Sequence, residues 1–105
     1  MKDEAVRSYF EAERLSKIAW RGHQQVPTLR AAGVESRTAT VLHVHDTQES
    51  INEDPVLVLT VELDGLRPEL VALVPRIAVP RPGEHVVVVD SPDRSTLLYA
   101  GLKLQ

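Results

Sequence analysis

Four consecutive valines, Val86 to Val89, stand between His85 and Asp90, with Pro80-Arg81-Pro82-Gly83-Glu84 before them and Ser91-Pro92-Asp93-Arg94 after. β-Branched side chains suit a pleated surface and the flanking prolines forbid a helix, so the run reads as a buried strand bounded by turns. A strand of this kind needs partners on both sides. The rest of the chain supplies them only after about residue 36, where short apolar runs alternate with turn residues. Arg37 to Asp46 alternates loosely, with Leu42 and Val44 on one face and Val41, His43 and His45 on the other. Residues 47–55 read as a polar loop around Asn52, and Val56 to Leu63 as a second strand with Leu57, Leu59, Val61 and Leu63 inward. Asp64-Gly65 is a hairpin turn. A third strand is expected over Glu69 to Val79 with an interruption at Pro75, the valine strand is the fourth, and Leu97 to Leu104 the fifth. Five short antiparallel strands must share one core, which predicts an OB-like or SH3-like small barrel in residues 36–105.

The segment before the barrel has a different character. From Asp3 to Gln25 there is no proline and no glycine until Gly22, and Asp3 and Glu4 suit the positive end of a helix. This predicts an N-terminal amphipathic helix over residues 1–25, followed by a linker over 26–35 that Gly22, Pro27 and Ala32-Gly33 announce. At 100° per residue Ala5, Val6, Tyr9, Phe10, Ala12 and Trp20 gather on one broad face, with Leu15 and Ile18 off its centre. Three of the four aromatic residues, Tyr9, Phe10 and Trp20, thus lie in a segment outside the barrel; Tyr99 is the fourth. Exposed aromatic faces anchor protein interfaces, so these three are the expected interaction residues, whether the helix caps the barrel or projects from it.

Charge and composition narrow the function classes. With 12 basic and 15 acidic residues the chain carries a formal charge of -3, which gives no long-range attraction to nucleic acid or anionic lipid. Arg76, Arg81 and Arg94 would be the cationic patch if the loops bring them together, but the strands offer few aromatic rings on which bases could stack. Without cysteine there is no thiolate metal site, disulfide or thiol nucleophile. No run reaches the ~20 apolar residues of a membrane helix, and Met1-Lys2-Asp3-Glu4 lacks the pattern of a signal peptide, so a soluble cytoplasmic protein with no membrane span is the expectation.

The succession Ala39-Thr40-Val41-Leu42, Asp46-Thr47, Ile51-Asn52-Glu53-Asp54-Pro55-Val56, Pro82-Gly83-Glu84 and Asp90-Ser91-Pro92-Asp93 resembles a small β-barrel domain of unassigned function found in actinobacterial proteins. That domain shows a threonine-glycine pair, a Val-Asn-x-x-Pro segment, a Pro-Gly turn and a closing Asp-Pro dipeptide. The resemblance covers residues 33–98 and implies a fold but no reaction. The chain departs from the pattern at Gln48, where the glycine would stand, and at Ile51, which replaces valine. The domain often sits beside membrane helices, which this chain lacks.

Two constellations remain for chemistry. His43 and His45, two apart on a strand, project from one face, and with His85 and a carboxylate such as Asp46 or Asp54 they would suit a divalent metal ion. His-x-His on a solvated strand face is also simply tolerated. The acidic loop Glu49 to Asp54 lacks the acidic alternation and glycine of a calcium loop. No nucleophile stands in a recognisable catalytic setting, and no cofactor motif is present. The function expected is a non-enzymatic protein-interaction or scaffold module that associates with itself or a protein partner. The alternative is a small metal- or ligand-binding protein using the His-x-His face.

Overall fold

The computed structural model describes the backbone of residues 2–103 and the side chains of residues 13–103. One helix, α1 (Lys2–Ala31), precedes five antiparallel strands: β1 (Ser36–Ile51), β2 (Asp54–Glu62), β3 (Glu69–Leu73), β4 (His85–Asp90) and β5 (Leu97–Leu102). They form one sheet in the order β3-β2-β1-β4-β5, curled into a half-barrel. The mostly β fold with an N-terminal helix is as the sequence predicted.

The valine strand behaves as its composition requires. Val86 and Val88 point into the concave core while Val89 points outward beneath α1, and all three are fully buried. The inward set predicted for β2, Leu57, Leu59, Val61 and Leu63, lines the same concave core with Leu70, Ala72 and Val74. At 1.5–3 kcal/mol for each fully buried aliphatic side chain, this layer is the main source of stability.

β1 is longer and less regular than expected. Its first part pairs with β4 and the rest with β2, with a register shift between Val41 and His43. The extra residue is Leu42, and it resets the alternation: Val41 and Val44, expected on opposite faces, both face the core, and Leu42 is left exposed. The bend lets one strand serve both halves of the sheet. Residues 47–55 are not a loop. β1 runs on to Ile51, paired with Asp54, and the connection is the two-residue turn Asn52-Glu53, both with positive φ (51° and 72°) as a type I′ hairpin demands. A second irregularity around Gln48 (φ 69°) is held by side chains: Asp46 Oδ1 accepts from the Gln48 N–H at 2.8 Å and Thr47 Oγ1 from the Glu49 N–H at 3.2 Å.

The Asp64-Gly65 hairpin forms as predicted, with positive φ at both residues and Leu63 bridged to Leu66. β3 stops at Leu73 instead of Val79, since Pro75 has no N–H for a ladder. β5 ends at Leu102, and Leu104, its predicted end, lies outside the described residues.

The helix departs furthest from expectation. It does not stop at Gln25 but continues through Pro27 to Ala31. Proline there forfeits the bond to the His23 carbonyl, a loss offset by the packing of Val26 and Leu29 on Val89, Leu98 and Ala100. Gly33 (φ 86°) ends the helix: Val34 N–H donates to the Leu29 carbonyl at 3.0 Å and Gly33 N–H to the Arg30 carbonyl at 3.1 Å. The linker is therefore residues 32–35 only. Ala19, Gly22, Val26 and Leu29 form the barrel-facing stripe, and Ala19 seats on Val56 and Leu73. Gly22 belongs to this packing and not to a linker, because a Cβ there would come within 3.2 Å of Leu98 Cδ2. α1 packs against β3 and β5, the edge strands whose residues also approach each other. The helix thus docks, and covers edges that a half-barrel would leave open.

Candidate functional site

The histidines lie on the outer face. His43 pairs across to Thr60 and His45 to Val58, both rings exposed, while His85 pairs with Thr40 and shares a 3.2 Å hydrogen bond between its Nδ1 and Thr40 Oγ1. Thr40 stands between His85 and Glu62, and Thr60 between His43 and Glu69, so the sheet spreads the imidazoles over separate cross-strand rows. Among the described residues no three His, Asp or Glu side chains converge as a metal ion would need. Asp46 and Asp54, the carboxylates expected to join them, accept instead from the backbone N–H groups of Gln48 and Arg76.

The arginines are likewise dispersed. Arg76 pairs with Glu53 at the end of the half-barrel that carries the β1–β2 hairpin, and Arg94 lies at the opposite end in the β4–β5 loop. Arg76 and Arg94 therefore share no patch. Trp20 sits beside the barrel-facing stripe and not in it: it is 39% exposed where neighbouring Ala19 is 1% exposed, and its ring stacks on His23 at 5.8 Å. Tyr9 and Phe10 lie outside the residues whose side chains are described.

What sequence reading missed is the end of the half-barrel opposite the β1–β2 hairpin. Arg37, at the start of β1, holds Asp90 at the end of β4 at 2.7 Å and Asp64 of the β2–β3 turn at 3.7 Å. The three are far apart in sequence and meet because antiparallel pairing brings these strand ends together. All three are substantially solvated, so the pairs fix geometry more than they add stability. Beside them opens a cleft of 250 Å³ walled by Leu63, Leu66, Pro68 and Leu97, with Glu69 and Arg94 on its lining.

No family model, curated protein or solved structure matches the chain.

The β4–β5 loop that borders the cleft is rigidly tied. Asp93 Oδ1 accepts from the Ser91 hydroxyl at 2.7 Å, the Ser95 hydroxyl at 2.7 Å and the Ser95 N–H at 3.0 Å. The bonds from Ser95 and then Ser91 hold the Asp93 carboxyl down to about 2. Buried Ser91 in turn receives the Thr96 N–H, so the network is a structural knot that ties the loop to itself. Arg94, at φ 59°, projects from it. The arrangement presents shape and an ion-paired rim. Among the described residues no helix is long and apolar enough to cross a membrane.

Proposed function

We propose that this chain is a non-enzymatic protein-interaction module that associates with copies of itself, the outward flank of α1 forming the contact. The observation that carries the reading is Trp20. α1 already docks through Ala19, Gly22, Val26 and Leu29, and the indole is left on the solvent side of that seam. Tryptophan is the residue most enriched among interface anchors, and its exposure in water is unfavourable unless a partner covers it. The rigid platform beneath it favours specific docking, since no ordering of the helix is required on association.

The test is mass by light scattering behind size exclusion across a concentration series, for the wild type and Trp20→Gln. The wild type is expected above the 11.7 kDa of one chain and the variant lower, with unchanged thermal unfolding of the isolated chain. Because Trp20 is the only tryptophan, its emission should also shift to the blue as concentration rises. A single-chain mass at every concentration would overturn the reading.

A further inference from the structure

We infer a second, head-to-tail contact between copies: the turn bearing Ile77 on one chain seats in the cleft bordered by Leu66 on the next. The inference rests on the self-association proposed above but uses a different surface. Ile77 is 92% exposed, the most exposed large hydrophobic side chain among the described residues. It is not on a loose loop. Ala78 N–H donates to the Pro75 carbonyl at 2.9 Å, closing a turn with Arg76 and Ile77 at its tip. Arg76 is braced by the Glu53 carboxylate and, through its N–H, by Asp54 Oδ1 at 3.1 Å. Val74 N–H bonds to the Pro55 carbonyl on one side of the turn, and Pro80 is fully buried on the other. The fold therefore holds an isoleucine out into solvent on a fixed support.

The receiving site is at the other end of the same molecule. β3 begins beside the cleft at Glu69 and ends at Leu73, leading into the Ile77 turn, so the strands separate knob and cleft by the length of the half-barrel. At 250 Å³ the cleft lies below the ~300–1,000 Å³ typical of small-ligand pockets and has room for a branched aliphatic side chain. Leu63, Leu66, Pro68 and Leu97 form the apolar part of its wall, and Leu66 is itself 69% exposed. Charge matches in sign where it is not already paired: Arg76 is taken by Glu53, which leaves Arg81 as the unpaired charge of residues 74–82, whereas the cleft is lined by Asp64, Glu69 and Asp90 against Arg37 and Arg94. Glu69 and Arg81 have no ionic partner among the described residues.

A contact between two different surfaces does not close on itself unless rotation brings it round, so it adds copies in an open series. One side chain and its rim bury much less than the ~800 Å² per partner of a standard interface, and the contact is correspondingly weak and concentration-dependent.

The experiment uses two full-length variants, Ile77→Asp and Leu66→Asp, at positions exposed enough to leave folding intact. By sedimentation velocity over a concentration series, the wild type is expected to gain mass without a plateau. Each variant alone should stop at the species that the α1 contact supports. Mixed in equal amounts, they should regain growth, because one keeps an intact cleft and the other an intact knob. Growth of Ile77→Asp like the wild type, a wild type that plateaus at a closed mass, or no gain on mixing would overturn the head-to-tail contact while leaving the Trp20 contact standing. Single-chain mass for the wild type throughout would remove both.

Discussion

Tyr99 shows how the half-barrel treats a polar group that it takes partly inside. Its ring packs against the concave core, and burial first, then the negative charge of Glu84, push its phenol up to about 12. The folded state therefore holds the neutral form over a range where the unfolded chain, with a phenol near 10, ionises. The stabilisation from this shift is fully present below pH 10 and is lost as pH rises toward 12. Tyr99→Phe keeps the ring and removes the ionisation, so its urea stability should fall less steeply than that of the wild type across that alkaline range. Parallel declines for the two proteins would show that the phenol is not the group responsible. Asp93 is the opposite case, a carboxylate held down to about 2 by hydroxyl donors in a loop the sequence marks only as a turn. Ser91-Pro92-Asp93 gave the turn, but not which oxygens would gather on one carboxylate.

At the scale of elements, legibility followed the strength of local signals. The valine strand, the inward face of β2 and the Asp64-Gly65 turn were readable because composition, alternation and turn chemistry agreed at each. β1 differs from the expectation because alternation carries no mark of a bulge, and Leu42 moves the side chains from His43 to Asp46 to the other face. Asn52-Glu53 lacked the glycine that usually announces a type I′ turn, and the tight hairpin looked like a loop. Pro27 misled in the other direction, since local chemistry argued for a helix end and tertiary packing overrode it. That conflict can be measured. Pro27 is itself exposed and contributes no buried ring, so Pro27→Ala should restore the helical hydrogen bond at little packing cost. The expected gain is about 1–3 kcal/mol in urea unfolding with an unchanged m-value. A loss of stability would mean that the proline serves the docking of α1.

For the whole molecule, the decisive fact is that helix and sheet are packed together along shared apolar seams. The sequence separated them, because a proline and two glycines stood between them, and nothing local showed Gly22 to be the point of close approach to Leu98. The same blindness hid the Arg37 end of the half-barrel: its three charged residues come from separate turns and strand ends, and only the strand order brings them together. A chain lacking residues 1–25 tests directly whether helix and sheet fold cooperatively. It loses Ala19 and Gly22 from the seam, exposing Val56 and Leu73 and part of Leu98, all now buried. At roughly 1.5–3 kcal/mol per aliphatic side chain, that exposure is comparable with the whole 5–15 kcal/mol by which a small domain is stable. Residues 26–31 are too few to persist as a helix on their own and cannot keep Val26 and Leu29 in place. The truncated chain is therefore expected to lose its cooperative thermal transition and to bind an apolar dye, with exchange protection lost in β4 and β5 together. A sharp transition in the truncated chain, with β4 and β5 still protected, would show instead that the half-barrel closes without α1, and would return the helix to the role of a separable arm.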